Sequence, residues 1–201
     1  MKRRCILSSF PLLLLLAACA GPPTPIAFEQ QGKPLVLRCT LRPKQTYLFA
    51  SNYLAFPATV KAGSEAKVTM FSTQEADMTI TDIPYKMLPI TTLFEPKADL
   101  FLKKFFVNSK DELGLDKLEP AKKTNIENGV AEIGMTKEQV YTAMGPPYWI
   151  DTDIDATNLS YDTILQKDTW KYRVSNILWN PWWPVQKVFR FQDGKLVQTI
   201  P

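Results

Sequence analysis

The acidic residues between positions 151 and 162 have the spacing of a calcium-binding loop. Oxygen donors occupy its first, third, fifth, seventh and twelfth positions: Asp151, Asp153, Asp155, Thr157 and Asp162. The sixth position is Ala156, where the motif has glycine, and Asn158 stands where such loops carry an apolar residue. Two interpretations remain open, a weak calcium site and a solvated loop.

Catalytic chemistry has little support in this sequence. The chain contains no histidine, so the commonest general base and the usual activator of a nucleophile are absent. Carboxylates are present, but no two of them form a convincing acid and base pair. We therefore expect a non-catalytic protein without a cofactor.

A tryptophan-rich stretch is the strongest candidate for a binding site. Trp179, Trp182 and Trp183 alternate with prolines in the sequence ILWNPWWP, between two predicted strands. Prolines disfavour regular strand pairing, so the three indoles are not expected on one strand face. Tryptophan is frequent in protein contacts and at membrane interfaces. A protein contact, a lipid contact and a return of the rings to the core all remain open.

The first twenty residues have the pattern of a secretory signal. A basic start is followed by an apolar run and by the tetrad Leu16-Ala17-Ala18-Cys19. The tetrad resembles the lipobox of bacterial lipoproteins, which implies cleavage before Cys19 and lipidation of its thiol, including palmitate. Cleavage of an ordinary signal peptide, with Cys19 incidental, is the alternative. Ala20 in place of aspartate favours the outer membrane.

Removal of residues 1–18 also changes the charge of the chain. It takes away Lys2, Arg3 and Arg4 and lowers the net charge from +4 to +1, so no nucleic-acid partner is expected. Cys39 then remains as the one cysteine besides Cys19, and no intramolecular disulfide is expected. Its apolar neighbours favour a small buried side chain over a reactive thiol.

The amino-terminal half of the mature chain is predicted to be rich in strands. Proline, glycine and glutamine in residues 19–34 favour a flexible tether after the lipidated cysteine. Short strands are predicted at residues 35–41, 46–50, 58–61, 66–71 and 78–81. Residues 96–107 are predicted to form a helix with Lys103 and Lys104 on its wet side, and a strand that contains the aromatic residues is the alternative. We therefore expect a β-rich domain over residues 35–107.

Two short helices are predicted after a charged linker at residues 108–123. Thr124 with Glu127, and Thr136 with Gln139, have the spacing of capping boxes. Gly134 is expected to end the first helix and Gly145 the second. Alternating sequences then predict strands at residues 168–174 and 185–191, and the tight turn at Asp193-Gly194 predicts a third strand at residues 195–200.

The carboxy-terminal sequence resembles a known family. The sequences IGMTKEQVYTAMGPP, DTWKYRV and VFRFQDGKLVQTI are similar to those of the outer-membrane lipoproteins SmpA, OmlA and BamE. The resemblance implies an α+β fold over residues 124–201, with two short helices packed on a three-stranded antiparallel sheet, as in β-lactamase inhibitor proteins. It covers less than half of the mature chain, and residues 35–107 depart from the compact plan of the family.

The resemblance also implies a function. We expect a periplasm-facing lipoprotein of the outer membrane that acts as a binding or scaffold module in envelope or β-barrel assembly. The alternative is an inhibitor-like lipoprotein directed at a secreted or periplasmic protein. In either case the partners are the membrane, through the lipid anchor, and a protein of the envelope.

The lipid anchor can be tested directly. Cys19→Ser removes the thiol that would carry the lipid, so the protein is expected to move from the membrane fraction to the soluble fraction. Fractionation of cells that express each form measures this. A Cys5→Ser variant is the matched control, because Cys5 lies before the expected cleavage point. A Cys19→Ser protein that stayed in the membrane fraction would contradict the anchor.

Overall fold

Eleven strands form two sheets in the computed structural model, which describes residues 24–51, 54–72, 74–88, 98–174 and 186–201. The first sheet contains β1 (Leu35–Leu37), β2 (Tyr47–Phe49), β3 (Glu65–Phe71), β4 (Ala76–Ile80), β5 (Ile83–Leu88) and β6 (Phe106–Val107). Its order is β2-β5-β4-β3-β1-β6, with β2 and β5 parallel. The second sheet contains β7 (Trp149–Ile150), β8 (Ile154–Asp155), β9 (Thr169–Arg173), β10 (Gln186–Gln192) and β11 (Lys195–Ile200). Its order is β11-β10-β9-β7-β8, antiparallel throughout.

Four α-helices accompany these strands in the described ranges. They are α1 (Ala98–Phe105), α2 (Pro120–Glu127), α3 (Lys137–Met144) and α4 (Tyr161–Leu165), and two 3₁₀ turns cover Lys110–Leu113 and Leu115–Lys117. None of the helices described combines the length and the apolar character that a membrane span requires.

The predicted three-stranded sheet with two helices is wrong. The three strands predicted for this sheet form as β9, β10 and β11. The strands β7 and β8 extend the sheet to five strands. These two strands have only two residues each, too few to show an alternating pattern. They are joined by a tight turn with positive φ at Asp151 and Asp153. The helix α4 was also missed, and its start is capped by the Ser160 hydroxyl, which accepts from the amide of Thr163.

Helix α3 confirms the prediction made from its end signals. The Gln139 amide donates to Thr136 Oγ1 at 3.3 Å, and the Thr136 amide donates to Gln139 Oε1 at 3.0 Å, which completes the capping box. Gly145 follows the last turn with φ of 73°, and its amide donates to the Tyr141 carbonyl. Val140 and Tyr141 are fully buried, so this short helix is stabilised by packing as well as by its caps.

Helix α2 does not start where its sequence signal predicted. The Thr124 and Glu127 capping box is absent, because the helix begins four residues earlier at Pro120, inside the predicted linker. Proline is favoured at the first position of a helix, where no amide is needed. The Thr124 hydroxyl donates to the Pro120 carbonyl instead. The helix ends at Glu127, well before Gly134.

The first sheet also differs from its prediction. Residues 58–61 form only an isolated bridge, between Leu41 and Val60, and not a strand. The strand β5 was not predicted, because it contains Pro84, which lacks an amide hydrogen. Pro84 is tolerated because the parallel pairing of β5 with β2 begins only at Lys86, beyond this position.

The segment before β1, predicted as part of a flexible tether, lies against the first sheet. The Ile26 amide donates to the Phe71 carbonyl at 2.7 Å, and the Gly32 amide donates to the Val68 carbonyl at 2.8 Å. The ring of Phe28 packs edge-on against that of Phe71. Among the residues that the structure describes, hydrogen bonding to β3 begins at Ile26.

Buried side chains from both sheets form one hydrophobic cluster. Helix α1 connects them through Lys104, which was predicted to face water together with Lys103. Lys104 is 4% exposed, whereas Lys103 is exposed. The Lys104 Nζ donates to the carbonyls of Ala156 and Thr157 at 3.0 and 2.7 Å. The lysine therefore ties α1 to the segment that follows β8.

Gly129 is expected to be the glycine least tolerant of a side chain. Its φ is +68°, and a Cβ there would lie 2.7 Å from Arg42 Nη2 and 2.8 Å from Ala58 Cβ. Gly129→Ala is expected to lower the free energy of unfolding by about 1–2 kcal/mol from backbone strain and about 1–3 kcal/mol from overpacking. Urea denaturation measures the loss. Gly134→Ala is the control, because Gly134 has φ of +89° with nothing within 4 Å and should show the strain alone. Equal losses would contradict the packing at Gly129.

Lys104 is expected to make the free energy of unfolding depend on pH in the alkaline range. Burial lowers the pKa of Lys104 to about 8, from 10.5 for an exposed lysine. Between these values the unfolded chain binds the proton that the folded chain has lost, so the stability of the wild type rises with pH. Compared with Lys104→Met, the wild type should gain unfolding free energy between pH 8 and pH 10. Lys103→Met, which alters the exposed neighbour, should follow the wild type. A Lys104→Met curve parallel to the wild type would contradict this.

Candidate functional site

One face of the second sheet is directed away from the core. Strand register places Trp149, Lys171, Val188 and Ile200 in one row across β7, β9, β10 and β11, because directly opposite residues in an antiparallel sheet share a face. Thr169, Arg190 and Gln198 form the next row. We call this surface the outer face and define it by Trp149, Lys171, Arg173, Val188, Arg190 and Ile200. Each of these residues is partly or fully accessible.

The opposite face of the sheet supports the outer face rigidly. Trp170, Tyr172 and Phe189 alternate with outer-face residues and are fully buried. Two of them also anchor their strand through polar atoms. The Trp170 Nε1 donates to the carbonyls of Ile164 and Lys167, and the Tyr172 hydroxyl donates to that of Gly145 at 2.8 Å. The backbone beneath the outer face is thus held by packing and by satisfied hydrogen bonds.

An arginine and two aromatic rings form the densest part of the outer face. The guanidinium carbon of Arg173 lies 3.7 Å from the ring centroid of Tyr148 and 5.2 Å from that of Trp149. The two rings pack edge to face, with centroids 4.0 Å apart. Stacking of this kind holds the guanidinium in place and favours its cation–π contacts. Tryptophan, tyrosine and arginine are also the residues that contribute most to protein interfaces.

The remaining charges on the outer face have both signs, because the register places Asp155 of β8 directly opposite Trp149. Lys171 Nζ lies 2.6 Å from Asp153 Oδ1, and Arg190 Nη1 donates to Gln198 Oε1 at 3.3 Å. Three cations therefore share the face with two apolar side chains, Val188 and Ile200, and with one tryptophan. A protein surface that offers both carboxylates and apolar side chains would complement this arrangement.

The four aspartates of the predicted calcium spacing are engaged separately. Asp151 pairs with Lys167 at 3.3 Å, Asp153 pairs with Lys171, and Asp155 Oδ1 accepts from the amide and hydroxyl of Thr157. Asp162 lies in the first turn of α4. In the part of the chain that the structure describes, no cluster of three or more acidic, histidine or cysteine residues could hold a metal ion. Three of the four carboxylates therefore have ion-pair or hydrogen-bond partners of their own, and both interpretations of this segment stay predictions.

The cysteines and tryptophans predicted as functional have different outcomes. Cys19, Trp179, Trp182 and Trp183 lie outside the described residues, so their predicted roles stay predictions. The prediction for Cys39 is confirmed, since its side chain is fully buried. Burial raises the pKa of the Cys39 thiol to about 12, so the reactive thiolate does not form near neutral pH.

The sequence predicts three strands of this sheet but not the residues at the centre of the outer face. Trp149 and Arg173 are separated by 24 positions and come together only because β7 pairs with β9. The aromatic pair directly after Pro146-Pro147 was the sequence signal for this cluster, but no strand was predicted there. The strand pairing that joins these residues could not be derived from a two-residue strand.

No protein family, no curated protein and no solved structure matches the chain.

Proposed function

We propose that this protein is an outer-membrane lipoprotein that faces the periplasm and acts as a non-catalytic binding module in cell-envelope or β-barrel assembly. The signal pattern ending at Cys19 supports the anchor and the compartment. The sequence resemblance to SmpA, OmlA and BamE supports the process. The protein partner is not identified by these features.

The outer face is the observation that carries the binding role. It combines an arginine that contacts two aromatic rings, two aliphatic side chains, a lysine paired with Asp153 and the exposed Arg190 on a backbone fixed by the core. A rigid aromatic and arginine cluster loses little conformational entropy when a partner binds, which favours affinity. The described residues that surround it include no histidine and no convergent group of carboxylates.

The tryptophan-rich stretch extends this proposal. It connects β9 to β10, so its two ends meet the second sheet at Arg173 and Gln186, which are directly opposite each other. Residues that join the strands at that end are close in sequence to the outer face. Trp182 and Trp183 are therefore proposed as further contacts for the same partner, and a double alanine variant tests them.

Capture of the partner in cells tests the proposal. The tagged, lipidated protein would be cross-linked, solubilised gently and analysed by mass spectrometry. Subunits of the β-barrel assembly machinery among the cross-linked proteins would support the proposed process. An unrelated secreted or periplasmic protein, without those subunits, would overturn it in favour of an inhibitor-like role.

A charge reversal on the outer face is expected to disrupt this capture. Arg190→Glu replaces an exposed cation at the centre of β10 and should reduce recovery of the partner by about tenfold, the effect of losing about 1.4 kcal/mol. Lys117→Glu makes the same change in charge on an exposed 3₁₀ turn outside the second sheet and should leave recovery unchanged. Thermal melting checks that both variants fold. Equal recovery with both folded variants would exclude the outer face as the contact surface.

A further inference from the structure

A groove of about 580 Å³ lies away from the outer face, between the segment before β1, helix α1 and helix α4. Its volume is in the range of sites for small molecules or a few residues of a peptide. Apolar side chains with little exposure form part of its lining: Leu35, Leu102, Phe106 and Val107. Two cations and four carboxylates complete the charged part of the lining: Arg38, Lys103, Glu29, Asp99, Glu112 and Asp162.

Arg38 is the partly buried cation of the groove, and among the described residues it has no counterion. Its Nη2 donates to the Phe106 carbonyl at 3.3 Å, and its guanidinium carbon lies 4.0 Å from the ring centroid of Tyr161. Within the described ranges, its buried Nε has no hydrogen-bond partner and no carboxylate forms an ion pair with it. A partly buried guanidinium without a counterion favours binding of an anion, and a carboxylate matches its planar geometry.

The four carboxylates of the groove have local partners or local roles. Glu29 pairs with Lys33 at 3.7 Å, and Glu112 accepts from the Asn108 amide at 3.1 Å. Asp99 and Asp162 lie in the first turns of α1 and α4, where the helix dipole stabilises a negative charge. These contacts explain why the carboxylates can lie near Arg38 without pairing with it. Together with Arg38 and Lys103 they give the groove a net charge of −2.

These charges restrict the ligand that the groove can accept. A phosphate group carries more negative charge than a carboxylate and would be repelled more strongly by the four acidic side chains. The groove therefore suits a ligand with three features. These are one carboxylate to bind Arg38, an apolar group to contact the apolar wall, and cations to pair with the acidic side chains. The end of a polypeptide provides a carboxylate directly beside an apolar side chain, and basic residues can precede it.

We propose that this groove binds the carboxy-terminus of a peptide whose last residue is apolar and whose preceding residues are basic. Arg38 binds the terminal carboxylate through charge-assisted hydrogen bonds. The apolar wall accepts the last side chain, and the acidic side chains accept the basic residues. The site does not depend on the outer face, so the proposed assembly role and this site can fail separately.

Calorimetric titration of the full lipidated protein in detergent micelles tests the site. The probe is the tetrapeptide acetyl-Lys-Lys-Ala-Phe with a free carboxylate, compared with its carboxy-terminal amide and with acetyl-Glu-Glu-Ala-Phe. The free-carboxylate lysine peptide is expected to bind at least about tenfold more tightly than either of the others. Equal binding of the acid and the amide, or no binding of the lysine peptide, would overturn the proposal.

Two sets of variants connect the binding to its residues. Arg38→Lys retains the charge but loses the planar guanidinium, and Arg38→Gln loses both, so binding should weaken in the first and disappear in the second. The pair Asp99→Asn and Glu112→Gln should reduce the preference for the lysine peptide over the glutamate peptide. This pair keeps the proposal falsifiable if Arg38→Gln fails to fold. Lys117→Gln, on an exposed 3₁₀ turn that does not line the groove, is the control for a lost positive charge and should bind the peptide like the wild type.

Two results would show that the groove has another use. An Arg38→Gln variant with a native circular dichroism spectrum and unchanged peptide binding would exclude Arg38 as the carboxylate contact. N-acetyl-phenylalanine supplies the carboxylate and the ring without the basic residues. If it bound as tightly as the lysine peptide, the groove would be a site for a free small acid, and the peptide assignment would be overturned.

Discussion

The fold depends on a single buried threonine and the backbone around it. Thr40 is fully buried, its amide donates to the Thr142 carbonyl at 2.8 Å, and its hydroxyl donates to the Ile126 carbonyl at 2.8 Å while accepting from the Ala62 amide. These contacts join the chain that leaves β1 to the ends of α2 and α3. The Ile126 carbonyl and the Ala62 amide both bond to the Thr40 hydroxyl. A buried polar group left without a partner costs about 1–3 kcal/mol. The same position therefore connects the first sheet to two of the helices.

The sequence predicted well those elements whose ends are determined locally. The capping box of Thr136 with Gln139, and the glycine at position 145, define α3 without reference to the rest of the chain. Strands β9 and β10 were predicted because apolar residues alternate with polar ones along them, and β11 was predicted from the tight turn at Asp193-Gly194. The start of α2 was wrong because two local signals competed, and the proline at position 120 determined the start.

Features that depend on long-range pairing could not be derived in this way. The short strands β7 and β8 exist because they pair with each other and with β9, and Lys104 is buried because it meets carbonyls more than fifty positions later in the chain. The same limit applies to the two surfaces. Part of the outer face follows from alternation along β9 and β10, whereas the groove around Arg38 assembles residues from widely separated segments. A sequence pattern therefore indicates one surface and gives no sign of the other.

The docking of residues 26–32 on β3 limits how far the protein can act. Seven residue steps separate Cys19 from Ile26, and a fully extended chain of that length spans about 25 Å. With a lipid on Cys19, the folded body would diffuse in two dimensions within a thin layer beside the bilayer. Such a protein meets partners that are inserted in the same leaflet or that travel to it.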